Sequence, residues 1–182
     1  MADARKKSPA PASEPVPTRV PVFAAGLVLA AFTLLALQVP YGLLVGRSLP
    51  NAVAWITVAA VVILLVMLTA GAVVAWLGHR ISREWDDRKA TTLFFVLGFV
   101  GVGIWSFMVL GSLLSAATGN PGTATSGVAL ASVLYLAVAG GLSGAVGRYF
   151  ARDAADRPLL VVVLGVAVAL CAVLGGMALG SA

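Results

Sequence analysis

The sequence predicts an all-α integral membrane protein with five transmembrane helices, and three observations support this fold class. Hydrophobic residues make up 60% of the 182 residues and charged residues only 10%, against about 25% charged in an ordinary soluble domain. Five apolar segments each reach the roughly 20 residues with which a helix crosses the hydrocarbon of a bilayer. The basic residues lie in the connections between these segments, as membrane topology requires.

Residues 1–20 precede the first apolar segment and are rich in Pro, Ala and charge. They show no apolar periodicity, so we expect a disordered cytoplasmic tail. The apolar run that follows is too long for a cleaved signal peptide, whose apolar part has about 7–15 residues. We therefore expect a signal-anchor helix, and residues 21–182 are predicted to form one five-helix transmembrane domain.

The predicted spans contain no Asp, Glu, Lys, Arg or His, and they cover residues 22–45, 52–77, 91–117, 126–147 and 159–180. Lipid offers no hydrogen-bond partners, so every backbone group inside it must be bonded within its own segment, which predicts helices. Pro40, late in the first span, has two interpretations: it kinks the helix, or it marks the outer end with Tyr41 at the interface. We favour the second, because Arg47 follows soon after.

The orientation follows from the basic residues, eleven of which lie on one side of the predicted bundle. They are Arg5, Lys6, Lys7 and Arg19 in the tail, Arg80, Arg83, Arg88 and Lys89 after the second span, and Arg148, Arg152 and Arg157 after the fourth. Arg47 stands alone on the other side. The positive-inside rule then places the N-terminus inside and the C-terminus outside. We expect any interaction surface beyond the lipid to be cytoplasmic.

The two basic loops resemble each other, which suggests an internal repeat. Residues 78–88 read GHRISREWDDR and residues 147–157 read GRYFARDAADR, with Gly, Arg, Asp and Arg at shared positions. Any positive-inside loop of an Arg-rich protein resembles this, but the common spacing favours duplication. The predicted architecture is one anchor helix plus two hairpins repeated in parallel about an axis along the membrane normal.

These loops also supply the candidate residues for cytoplasmic interaction: Arg83, Trp85, Asp87, Arg88, Arg152, Asp156 and Arg157. Alternating acids and arginines within each loop predict local ion pairs, which contribute about 0–1 kcal/mol each when exposed. The positive charge that remains is expected to face anionic lipid.

Small residues predict where the helices pack, because lipid provides no hydrophobic drive and close backbone approach must replace it. The candidates are Gly98 and Gly101 in the third span, Gly140, Gly144 and Gly147 in the fourth, and Gly165, Gly176 and Gly180 in the fifth. An alternative interpretation is that Gly98 and Gly101 form a notch for a lipid or quinone-like tail, with Trp105 as its wall.

The chemistry available to the chain argues against several functions. An ionisable group inside the membrane costs at least about 2.5–3.5 kcal/mol and is retained when it is used; the spans hold none, which disfavours ion-coupled transport. His79 is the only histidine and Cys171 the only cysteine, so a metal site built from several of them is excluded. We predict no catalytic residue, no metal and no cofactor. Membrane topology accounts for the net charge of +5, so no nucleic-acid partner is expected.

The sequence favours a non-enzymatic polytopic membrane protein that acts as an accessory, assembly or scaffold subunit. Its partners would be the lipid bilayer and other membrane subunits or copies of itself. The alternative is a small oligomeric transporter or channel for a neutral or lipidic solute; an enzyme acting on a lipid is a weaker third hypothesis. The Ala-, Val-, Gly- and Arg-rich usage is typical of a high-GC bacterium, which predicts a multi-pass protein of the inner (cytoplasmic) membrane.

Overall fold

The computed structural model describes residues 20–46, 48–82, 84–118 and 127–180, and these residues are almost entirely helical. The α-helices are α1 (Val22–Gly46), α2 (Leu49–Val66), α3 (Ala72–Ile81), α4 (Asp87–Thr118), α5 (Gly127–Ala155) and α6 (Pro158–Gly180). A π-helical turn, Met67–Gly71, joins α2 to α3 without a break. The two therefore form one continuous helix, the α2–α3 helix.

Five helices in the described part of the chain are long and apolar enough to cross a membrane, as predicted. These spans are Val22–Leu44, Leu49–Thr69, Asp87–Val109, Ala129–Ala155 and Pro158–Ala178. Large apolar side chains such as Leu44, Leu49 and Leu159 are more than two-thirds exposed, as lipid-facing residues are. The described residues form helices and no strand, as predicted, and their five apolar helices are compatible with a multi-pass membrane protein. The predicted tail lies outside the described residues, apart from Val20.

The helices extend beyond the predicted spans at the end that carries the basic residues. The α2–α3 helix continues to Ile81, and α5 continues to Ala155, eight residues past the predicted end of its span. Arg and Ala, which are frequent in this part of α5, have high helix propensity, so a polar helix end remains helical outside the hydrocarbon. We call this end of the bundle, with the turn 82–86 and residues 156–157, the basic end.

Pro40 does not mark the end of the first helix, and the interpretation favoured from the sequence is wrong. α1 continues for six residues beyond Pro40, to Gly46. A proline within a membrane helix is tolerated where neighbouring helices bond the freed backbone groups. The carbonyl that loses its donor at Pro40 is that of Ala36. One residue further along, the hydroxyl of Tyr135 on α5 donates to the carbonyl of Leu37 and ties this part of α1 to α5. Tyr41 is buried, and its ring packs against those of Trp55 and Tyr135.

The helices of each predicted hairpin touch each other little. Instead α4 packs along α5, and α2 packs along α6, while α1 lies between the two pairs and contacts α5, α2 and α6. A core of buried side chains, among them Leu34, Ile63 and Val168, joins α1 to α2 and α6. Among the described residues α2 makes no contact with α4 or α5, and α3 meets α4 beside the turn 82–86. A cleft therefore separates the α2–α3 helix from the α4–α5 pair.

Candidate functional site: a cleft between the helices

The cleft has a volume of about 440 Å³, within the range of about 300–1,000 Å³ that is usual for small-molecule sites. Its floor is α1, one wall is the α2–α3 helix, and the opposite wall is the α4–α5 pair. The lining is mostly apolar and includes Leu27, Val62, Leu97 and Val102. Such a surface suits a hydrocarbon chain or another uncharged apolar group.

Glycine contacts on either side explain why the cleft exists. A Cβ on Gly98 would collide with the carbonyl oxygen of Gly140, and a Cβ on Gly144 would collide with that of Phe94, so α4 and α5 approach backbone to backbone. On the opposite side a Cβ on Gly175 would collide with the carbonyl oxygen of Thr57, which joins α6 to α2 in the same way. Each pair is held together closely, and the space between the pairs remains.

α1 is held against α5 by a third contact of this kind. A Cβ on Gly147 would lie 2.7 Å from the carbonyl oxygen of Gly26, and a Cβ on Gly26 would lie 3.1 Å from that of Gly147. The two glycines therefore set the distance between the floor of the cleft and its wall.

The candidate packing glycines thus have different surroundings. Gly98, Gly140, Gly144 and Gly147 lie at these close contacts, and Gly165 lies at ordinary van der Waals distance from Val28. For Gly101, Gly176 and Gly180, no atom of the described residues lies within 4 Å of an added Cβ.

Two of the contact glycines, Gly26 and Gly175, were not among the candidates. Gly26 stands four residues before Ala30, a small-residue spacing that points to packing. Gly175 adjoins Gly176, and the spacing of small residues along the last span favours Gly176 as the packing residue. The three residues of the notch inferred from the sequence, Gly98, Gly101 and Trp105, all line the cleft, and Gly98 also contacts Gly140.

Polar groups are sparse along the cleft. Away from the basic end, the indole nitrogen of Trp55 donates to the amide oxygen of the buried Gln38 at 3.3 Å, a bond that joins α2 to α1. The hydroxyl of Ser143 donates to the carbonyl of Gly140 on its own helix at 2.8 Å. The hydroxyl of Ser106 is buried and has no hydrogen-bond partner among the described residues.

The cleft becomes charged at the basic end, where His79, Arg148 and Arg152 line it. Asp87 lies beside both arginines: an oxygen of its carboxylate is 3.2 Å from Nη2 of Arg148, and the other is 3.4 Å from Nη1 of Arg152. As the first residue of α4, Asp87 also lies where the helix dipole favours negative charge. In this part of the cleft one carboxylate therefore faces two guanidinium groups.

The ion pairs of Asp87 cross between the two repeated loops rather than remaining within one of them. Asp87 belongs to the first loop, and Arg148 and Arg152 belong to the second. The other interaction candidates, Trp85, Arg88, Asp156 and Arg157, are exposed, and Arg83 lies outside the described residues. Of the loop candidates, the structure thus brings Asp87 and Arg152 together.

The described His, Asp and Glu residues lie at the basic end, and Cys171 lies within α6. Across residues 20–46, 48–82, 84–118 and 127–180, no three His, Cys, Asp or Glu side chains come together to hold a metal ion. Comparison of the chain with known protein families, curated proteins and solved structures finds no match. Function is therefore inferred from the cleft and the charges at its end.

Proposed function

We propose that this protein is a non-enzymatic multi-pass membrane protein that takes a lipidic molecule into the cleft, as a small carrier would. The observation that supports this most strongly is the apolar cleft of about 440 Å³ between the α2–α3 helix and the α4–α5 pair. Burying apolar surface there stabilises a bound chain by about 25 cal/mol for each Å² removed from water.

The lining of the cleft favours a lipidic solute over a charged one. Between the basic end and Gln38 its lining holds no ionisable side chain, so an isolated charge at that depth would cost at least about 2.5–3.5 kcal/mol. The internal glycine contacts also weaken the argument for an accessory subunit, since Gly98, Gly140 and Gly144 already serve packing within the chain.

An accessory or assembly role is the second candidate, and one observation favours it. Gly176 and Gly180 are four residues apart on α6, so they share a face. At neither position does an atom of the described residues lie within 4 Å of an added Cβ. A helix of another subunit, or of a second copy, would find room for close approach there. Exposed Trp85 in the turn 82–86 would offer a second contact.

We further propose that the basic end faces the cytoplasm of a bacterial cell, in the inner membrane, and that the two hairpins arose by duplication. The distribution of basic residues supports the orientation. The packing is compatible with a repeat: the first helix of each hairpin packs on the second helix of the other, as a two-fold axis would require.

A matched pair of glycine variants tests the cleft. Gly101 lines it and Gly176 does not, yet a Cβ at either position meets open space. We expect Gly101→Phe to weaken binding of a phospholipid with a pyrene-labelled acyl chain, measured by fluorescence with purified protein in detergent. If the ring excludes two methylene groups at about 0.8 kcal/mol each, the affinity falls about tenfold.

The control variant, Gly176→Phe, should bind the labelled lipid as the unmodified protein does. Equal binding by both variants would contradict the cleft as the binding site. The second candidate predicts the opposite pattern in native membranes: Gly176→Phe would release a co-purifying subunit, and Gly101→Phe would not.

A further inference from the structure

We propose that the cleft selects a phospholipid with a net negative headgroup, whose phosphate binds Arg148 and Arg152 at the basic end while one acyl chain lies in the cleft. This inference rests on the proposed lipid-binding function and adds the class of headgroup to it. The juxtaposition that supports it is an apolar cleft that ends at two guanidinium groups sharing one carboxylate.

Arg148 and Arg152 both pair with the single carboxylate of Asp87. Arg148 keeps 13% of its side chain exposed, and its Nε is buried without a hydrogen-bond partner among the described residues. Arg152 is 67% exposed and shares the carboxylate of Asp87. Guanidinium groups bind phosphate oxygens through two parallel hydrogen bonds. A phosphate beside them would supply a second negative charge to the two guanidinium groups.

Two neighbouring acids, Asp86 and Asp153, do not line the cleft. Asp86 pairs with Lys89 at 4.0 Å on the surface of the turn. Asp153 follows Arg152 in sequence but is exposed and does not line the cleft. His79 lines the same end from α3, and its imidazole can donate a hydrogen bond in either protonation state. The basic end therefore presents donors from two helices to one site.

The length of the cleft fits a lipid of the leaflet at the basic end. On α5 its lining extends from Leu136 to Arg152, about 24 Å at 1.5 Å per residue. One leaflet of hydrocarbon is about 15 Å thick, so an acyl chain fits within the cleft when its phosphate lies beside Arg152. The charged residues are then at headgroup depth and the apolar lining is at chain depth.

Binding of two lipids with identical acyl chains tests the inference, using phosphatidylglycerol and phosphatidylcholine against the full-length protein in mixed micelles. We expect phosphatidylglycerol to bind at least about fivefold more tightly, because each basic residue contributes about that factor towards an anionic lipid. Arg152→Gln, an exposed position with little consequence for folding, should remove most of this preference. Binding of phosphatidylcholine should not change.

Two further variants separate headgroup binding from other roles. Asp87→Asn leaves both arginines in place and removes their competitor, so it should strengthen binding of phosphatidylglycerol; if the ion pairs only hold α4 to α5, it would weaken binding as Arg152→Gln does. Arg157→Gln removes an equal charge from an exposed position outside the cleft. It should leave the preference unchanged, and an equal loss there would show general surface attraction and overturn the inference.

The outcomes also distinguish this inference from the function on which it rests. Equal binding of the two lipids, blocked in both cases by Gly101→Phe, would overturn the headgroup assignment and leave lipid binding in the cleft intact. Binding of neither lipid would contradict both proposals.

Discussion

At the scale of single residues, close packing of the helices in this protein depends on glycines, which have no Cβ. A Cβ on Gly98 or on Gly144 would meet a backbone carbonyl oxygen of the neighbouring helix. Backbone atoms do not rotate away as the end of a long side chain does, so α4 and α5 would have to separate. Because lipid provides no hydrophobic drive between helices, nothing else restores the van der Waals attraction that such a separation would remove.

We expect Gly144→Ala to lower the free energy of unfolding by about 1–3 kcal/mol, the usual cost of overpacking. Unfolding by sodium dodecyl sulfate in mixed micelles measures this quantity. Gly101→Ala, on α4 with open space around its Cβ, is the matched control. Its stability should be unchanged or slightly raised, since Ala has the higher helix propensity. The same loss in both variants would show that the backbone contact is not the cause.

At the scale of elements, α1 joins the rest of the bundle through an aromatic cluster near Pro40. The ring of Tyr41 stacks on that of Tyr135 from α5 with centroids 5.1 Å apart, and lies 5.3 Å from the ring of Trp55 on α2. The Tyr135 hydroxyl bonds the carbonyl of Leu37 in the same region. These contacts connect three helices where the proline weakens the backbone bonding of α1.

Replacing Tyr135 by Phe tests the hydrogen bond while keeping the stacked ring. We expect Tyr135→Phe to lower the free energy of unfolding by about 0.6–1.7 kcal/mol, the range measured for bonds between membrane helices. Tyr149→Phe is the control, because that tyrosine is 64% exposed at the basic end of the same helix. A thermal unfolding series in detergent compares the two, and equal stability of both variants would show that the bond does not stabilise α1.

At the scale of the whole molecule, the charged side chains of the described residues lie at one end of the bundle. The turn 82–86, the end of α5 and the start of α1 all lie there, and the amide of Val20 donates to the carbonyl of Ala155 at 3.3 Å. The charged part of the cleft lies at this same end, beside Arg148. Membrane orientation therefore determines which leaflet would supply a bound lipid.

Reporter fusions test that orientation. An alkaline phosphatase fused after Ala182 should be active, because it would lie outside the cytoplasm, and an epitope tag before Met1 should be protected from protease added outside the cell. The reason is the excess of basic residues at one end of the bundle. An inactive phosphatase together with an accessible tag would reverse the orientation and place the basic end in the outer leaflet.

Some features of the protein follow from the sequence by itself, because they depend on local properties. The number of helices and their approximate bounds follow from apolar length, since every backbone group in lipid must be bonded within its own segment. The clustering of Gly98, Gly140 and Gly144 at contacts follows from the small size of glycine. None of these inferences depends on which helix lies beside which.

The tertiary structure alone decided which helix faces meet, because in lipid most faces of a span are apolar and periodicity does not single one out. It placed Gly175 rather than Gly176 against Thr57, and it continued α1 past Pro40 to Gly46. It also turned Asp87 towards Arg148, sixty-one residues away. The cleft results from this packing, because the two closely packed pairs of helices leave space between them.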